Sequence, residues 1–416
     1  MRSLGGGRAG AGRHPVLLTD DREASAAIHA ADARSRPGGV TPAHLAANPG
    51  DLEDLQRRLR STRWLALPDS GSWRRGADLD YLRDLVRYWA EDFDWSAREA
   101  ALNALPNFAA TVGGNRVHFL HARSPRAGAL PLVIAHGWPS APAEFAGILD
   151  ALTNPTRHAG RVEDAFHVVV VSLPGFLLSA PPGSPSYDIR DGAETVAALM
   201  ALLGYEHYGA HGGDWGGLVA AWLSHLARER LVGLHLTTVV ARPQPSAALS
   251  AEERADLQEQ RRFRDDEMAY QALQATKPDA LAVALGDSPA GLAGWLVDKY
   301  RSWSDCHGDV ERVFDRDRLL ELCTLYWLTG SIGASLRLYF NTRASGRVPL
   351  ATGRIETPTG CAIFARELTR PPRGWAEASY RIERWARFPD GGHFPAVERP
   401  SVLVDELRRF FRPLRP

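Results

Sequence analysis

The sequence predicts an α/β protein: a mostly parallel sheet with helices on both faces, an inserted helical cap and an N-terminal helical lobe. Three observations carry this expectation. Short, continuously apolar runs recur at Leu130 to Ala135 and Phe166 to Val171, as strands covered on both faces require. Helical stretches alternate with them, amphipathic from Asp191 to Leu203 and apolar from Gly217 to Arg228, and such alternation implies parallel crossovers. Between Pro243 and Val348 the strand pattern stops and polar-aromatic helical runs take over before strand-like segments resume.

Taken in order, residues 1–40 are rich in Gly, Arg and Ala with neither helical nor strand period, so they read as a disordered tail that buries no face. Residues 41–110 read as the helical lobe, with Leu52, Leu55 and Leu59 on one helix face and Leu79, Leu82, Leu85, Tyr88 and Trp89 on another. Residues 111–242 and 349–416 read as the core. Its strands are Arg116 to His121, Leu130 to Ala135, Phe166 to Val171, Leu234 to Val240, Gly360 to Phe364 and Arg381 to Trp385, closed by a helix near Ser401 to Phe411. Residues 243–348 are the cap, inserted into the core and splitting it.

Composition excludes several classes. Of 416 residues, 49 are Lys or Arg and 49 Asp or Glu, for a formal net charge of zero, so there is no electrostatic case for nucleic acid or an anionic membrane as partner. Cys306, Cys323 and Cys361 are an odd set without metal-ligand spacing, which favours a reducing setting over a disulfide framework. No apolar run has the length of a membrane span, so a cytoplasmic protein is expected. The pairs His118 and His121, and His207 and His211, lack the further ligands of a metal site and read as structural.

The residues that carry chemistry cluster at strand ends. Gly212-Gly213-Asp214-Trp215-Gly216 has the small-x-nucleophile-x-small pattern of the sharp strand-to-helix turn that exposes a nucleophile in the α/β-hydrolase fold. The nucleophile position holds Asp where an esterase holds Ser. A carboxylate with an ordinary pKa of about 3.9 is already an anion at neutral pH, so Asp214 can displace a leaving group at saturated carbon and form an alkyl ester. The pentapeptide alone also fits a Gly-rich turn with a solvated Asp; its partners decide. His136-Gly137-Trp138-Pro139 follows a buried strand, where the backbone amides of Trp138 and Trp215 would form an oxyanion hole. His393, in Gly391-Gly392-His393-Phe394, follows the last strand at the place of a general base. The acid that orients it falls between cap and base. Glu367, at a strand exit, is the choice over Glu377, Glu383 and Asp390.

With these motifs the chain resembles the microsomal-type epoxide hydrolases, including their soluble bacterial members, from about Asp51 to the C-terminus. The resemblance rests on Leu55 to Trp64, on Tyr88-Trp89 and Phe93-Asp94-Trp95, on the His136 turn, the Asp214 elbow, the cap segment Gln274 to Asp279 and the His393 loop. It implies that Tyr270 and Tyr339 hold the epoxide oxygen, and it supports Glu367 in its Phe-x-x-Glu setting. A protonated phenol suits that task, because it can hydrogen-bond the oxirane and give up a proton as the ring opens. The chain departs from the family at Asn341, where relatives often carry Glu, and at Leu177-Leu178; both are expected to shape the pocket. The animal enzymes' membrane anchor is not found in the sequence, which favours a soluble protein.

The expected reaction is conversion of an epoxide and water to a vicinal diol, with neither metal nor organic cofactor. Rival readings are a haloalkane-type dehalogenase, which also uses an elbow Asp followed by Trp, and a catalytically silent scaffold of the same fold. The sequence leaves open the epoxide's identity, a detoxifying or biosynthetic role, and whether the protein is a homodimer.

Overall fold

The computed structural model describes residues 39–68, 71–244 and 248–415, together with the backbone strand Val16–Thr19. In chain order the strands are β1 (Val16–Thr19), β2 (Val40–Pro42), β3 (His44–Ala47), β4 (Asn107–Val112), β5 (Asn115–Ala122), β6 (Leu130–Ala135), β7 (Phe166–Val171), β8 (Tyr208–Gly212), β9 (Leu231–Leu236), β10 (Ile355–Ile363) and β11 (Tyr380–Arg387). Nine of them form one sheet in the order β11-β10-β9-β8-β6-β7-β5-β4-β2. Pairing is parallel from β11 to β7 and antiparallel from β7 to β2.

The apolar runs behave as doubly covered strands. Along β6 and β7, Leu132, Ile134, Val168 and Val170 face one core cluster. Their neighbours Val133, Ala135, Val169 and Val171 face the other, as the two-residue period of a strand dictates. Helices Ala146–Thr153 and Pro400–Phe411 cover the first face, and Ile189–Leu202 and Asp214–Leu226 the second.

The expected tail and lobe are corrected in part. Most of residues 1–40 lies outside the described residues, but Val16–Thr19 pairs antiparallel with β3 and Val40 opens β2. The stretch read as a helical lobe contains helices Pro49–Arg60, Leu79–Glu91 and Trp95–Asn103. It also supplies β2 and most of β4 to the sheet's antiparallel edge. β2 has only three residues and ends in Pro42, and β4 has six, so their strand identity is set by the neighbours they pair with. The strand expected over Leu234 to Val240 lies earlier, at β9, and the chain leaves the sheet at Thr237.

The inserted segment forms helices Ala251–Glu267, Ala269–Gln274, Pro278–Asp287, Pro289–Trp303, Arg316–Thr329 and Ile332–Ser345. The lobe braces it. Trp89 Nε1 donates to Thr324 Oγ1 at 3.0 Å, Tyr88 Oη to Asp317 at 2.8 Å, and Arg98 Nε to Glu321 at 2.9 Å. Among the described residues no single helix is long and apolar enough to cross a membrane.

Candidate active site

Every core residue of the proposed site follows the carboxyl end of a parallel strand, where ligands of open α/β sheets collect. β6 runs into His136-Gly137-Trp138, β8 into Asp214, β9 into Thr237-Thr238, β10 into Glu367 and β11 into the His393 loop. The elbow is built by close approach. A Cβ on Gly216 would strike the Ala135 carbonyl, and one on Gly137 would strike the Asp214 carboxylate, so only glycine lets the turn close against β6.

Asp214 takes a φ of +50°, a strained value for a residue with a side chain, and opens the helix Asp214–Leu226. Three contacts hold it. Its amide donates to Thr238 Oγ1 at 2.9 Å, its Oδ1 accepts from the Trp138 amide at 2.9 Å, and its Oδ2 lies 3.6 Å from His393 Nε2. The helix N-terminus adds a favourable field for the carboxylate. The Trp138 amide thus reaches the carboxylate, whereas no hydrogen bond joins it to the Trp215 amide. That amide, in the helix's first turn, has no acceptor within its own helix and is available to an oxyanion.

On the other side of the imidazole, His393 Nδ1 lies 3.0 and 3.1 Å from the two Glu367 oxygens, and the Glu367 side chain is fully buried. Burial alone would pull the imidazole pKa down. The Glu367 charge, with the Asp214 carboxylate beside it, instead holds it well above the usual value. The rival acids are spent on surface ion pairs: Glu377 with Arg373, Glu383 with Arg381 and Asp390 with Arg399.

Tyr270 and Tyr339 come down from the cap and are both buried. They line with Asp214, Trp215 and His393 a cavity of about 240 Å³. Trp138 stacks on Tyr270, ring centroids 5.8 Å apart, and meets Tyr339 edge-on at 5.9 Å. Burial and then the Asp214 charge raise the Tyr270 phenol pKa. For Tyr339, burial, Tyr270 and Asp214 act in the same direction. Both phenols therefore stay protonated at neutral pH. The Tyr339 hydroxyl is buried and makes no hydrogen bond of good geometry within the protein, as suits a donor kept for a ligand. Tyr300 donates to the Pro139 carbonyl at 2.7 Å.

Four further residues support the site without any local sequence signal for it. Thr238 fixes the Asp214 amide. Trp303 accepts from the His393 amide at 2.9 Å and packs edge-on against its ring. Glu144 lies near His393 (see below). Half-buried Glu398 accepts from the amides of Asp305, Gly392 and Phe394 at 2.7–2.9 Å, tying the His393 loop to the cap. Asn341 is corrected: its side chain bonds the carbonyls of Pro185 and Tyr187 and does not line the Asp214 cavity, nor does Leu177 or Leu178. His118 contacts Asn107, His121 contacts Tyr205, and His211 contacts His235.

Comparison with known proteins agrees with this geometry. One family model, described as epoxide hydrolase N terminus, matches residues 40–145; another, alpha/beta hydrolase fold, matches residues 131–304. A Stigmatella aurantiaca relative, itself only provisionally named an epoxide hydrolase, is 40% identical over 91% of this chain and 86% of its own. Epoxide hydrolase 1 of Oryctolagus cuniculus is 30% identical over 90% of each chain. Among solved structures, juvenile hormone epoxide hydrolase of the silkworm Bombyx mori superposes with a TM-score of 0.84 at 26% identity, covering 90% of this chain and 95% of that one. Aspergillus niger epoxide hydrolase gives 0.82 at 29% identity, covering 91% and 98%. A likeness that runs through lobe, core and cap alike sets aside the dehalogenase and silent-scaffold readings: the chain belongs to the epoxide hydrolases of the α/β-hydrolase superfamily.

Proposed function

We propose that this epoxide hydrolase works through a covalent ester on Asp214. The carboxylate attacks an oxirane carbon from behind, the carbon–oxygen bond of the ring breaks, and Tyr270 or Tyr339 gives its proton to the departing oxygen. His393, oriented by Glu367, then takes a proton from water as its oxygen adds to the Asp214 carboxyl carbon. The resulting oxyanion rests on the Trp138 and Trp215 amides. Collapse breaks the bond to the alkyl oxygen, the imidazolium protonates that oxygen, and the remaining acid proton restores the tyrosine. One diol leaves, and the chemistry requires neither metal nor organic cofactor.

The observation that carries this reading is the position of Asp214 between two sets of groups. Its carboxylate lies within reach of the Trp138 amide and His393 on the core side and shares a cavity with two buried, protonated phenols on the cap side. The decisive experiment is intact mass spectrometry of His393→Gln with a panel of styrene-like, terpene and aliphatic oxides. The enzyme mass is expected to rise by one substrate equivalent. An unmodified mass under conditions of full binding refutes the scheme. A single turnover in ¹⁸O-water adds a second check, since the label is expected in Asp214 and not in the first diol released.

The division into lobe (41–110), core (111–242 and 349–416) and cap (243–348) is part of this proposal, with β2 and β4 of the lobe stretch joining the core sheet. So does a cytoplasmic location, supported by three free, buried cysteines. A homodimer is a further proposal, tested by sedimentation.

A further inference from the structure

A second, much smaller cavity of about 30 Å³ lies against the same carboxylate. Asp214 and His393 are the two residues that line both this cavity and the 240 Å³ cavity under the tyrosines. They are also the two residues that both chemical steps share. A space that holds a water needs about 10–15 Å³ and two to four polar partners, so this one takes one or two waters and no epoxide.

Its walls are polar in a specific way. His136 is buried, and its Nδ1 lies 2.8 Å from the Gly137 carbonyl. A carbonyl only accepts, so Nδ1 carries the hydrogen and Nε2 the lone pair. Burial keeps the ring neutral, with its pKa lowered to about 4. His136 Nε2 has no partner among the described residues, and a buried acceptor left in that state is destabilising. Across the cavity Glu144 accepts from the Ser140 hydroxyl. Burial pushes its carboxyl up to about 7, against the pull of Ser140, His393 and Arg318, with Glu398 adding to the rise. None of these groups has a part in opening the epoxide.

We propose that this cavity is a dedicated site for the hydrolytic water, held by Glu144 and completed by Ser140 and His136, separate from the space the epoxide occupies. A water there can donate one hydrogen to Glu144, to His136 Nε2 or to the Ser140 oxygen, whose own hydrogen goes to Glu144, and present the other to His393 Nε2. The two reactants then reach Asp214 from different cavities, so product need not leave before water is in place. The inference rests on the Asp214 ester.

The test separates the two steps in Glu144→Gln and Ser140→Ala by rapid quench and intact mass, using the oxide of the panel above that is turned over fastest. Epoxide opening is expected to stay within about twofold of wild type, while ester hydrolysis slows by about 10- to 100-fold. The ester then accumulates at steady state, and kcat and KM fall together with kcat/KM preserved. Equal slowing of both steps, or wild-type hydrolysis in both variants, overturns the water site. If His393→Gln also fails to trap an ester, the Asp214 reading falls, and the water site with it.

Discussion

At the scale of single residues, the site works by coupling charge to protonation. His393 lies between two carboxylates that, against the pull of burial, hold its pKa well above the usual value. Alkylation of Asp214 removes one of those charges. On the proposed scheme the imidazole pKa then drops, and the base becomes competent once there is an ester to hydrolyse. Ester hydrolysis therefore rises with pH through the pKa of the alkylated form, whereas epoxide opening, which needs protonated phenols, persists to high pH. Ring NMR titration of His393 is expected to show a lower pKa in Asp214→Ala and a still lower one in Glu367→Gln, since Glu367 raises it most. An unchanged value in Asp214→Ala refutes the coupling. In the proposed scheme the tyrosines act on the other step. Tyr270→Phe and Tyr339→Phe are each expected to slow epoxide opening by about 10²-fold while leaving ester hydrolysis alone, as single-turnover kinetics would read.

Among the secondary-structure elements, the helix Ala251–Glu267 is held differently from the rest of the cap. It buries none of its residues fully, yet Gln260 and Phe263 line the tyrosine cavity. Ion pairs replace apolar packing: buried Arg370 joins Asp256 and Glu259, and Arg387 joins Asp256 and Glu252. Gln260 also donates to the Arg370 carbonyl at 2.8 Å. Arg370→Ala is expected to speed hydrogen exchange along 251–267 and to lower kcat/KM, with a smaller effect on global melting. Raising the salt concentration should push wild type the same way, less so for the buried partners.

Legibility in the sequence divides along similar lines. β6 and β7 were readable because strands covered on both faces must be apolar throughout. Asp214 and His393 were readable because backbone exposure demands glycines around them, and glycines are visible in one dimension. The edge strand β2 and its neighbour β4 gain their identity from the strands they pair with, so nothing local announces them. Thr238 and Trp303 act on residues 24 and 90 positions away, and Glu398 ties its loop to Asp305, 93 positions away. Tyr270 and Tyr339 were reached only through family likeness, because a phenol packing a helix and a phenol awaiting a ligand look the same until the cavity is seen.

Across the whole molecule, the two halves of the reaction belong to different bodies. Asp214, His393 and Glu367 stand on the ends of one rigid sheet, while the tyrosines stand on cap helices whose outer support is the N-terminal lobe. Trp89 is the centre of that support: it is 1% exposed and donates to Thr324, itself fully buried, across the boundary between lobe and cap. Trp89→Ala removes the ring and orphans the Thr324 hydroxyl, a loss of about 3–5 kcal/mol where the neighbours cannot collapse. If the lobe serves catalysis only by bracing the cap, the damage is selective. Epoxide opening is expected to slow by about 10- to 100-fold as the tyrosines lose register. The hydrolysis of ester already formed should stay near wild type, because nothing in the sheet has moved. Trp89→Phe, which keeps most of the volume and loses the hydrogen bond, should fall between. Equal slowing of both steps in Trp89→Ala would mean that the lobe stabilises the enzyme as a single unit, with the cap having no separate mechanical dependence on it.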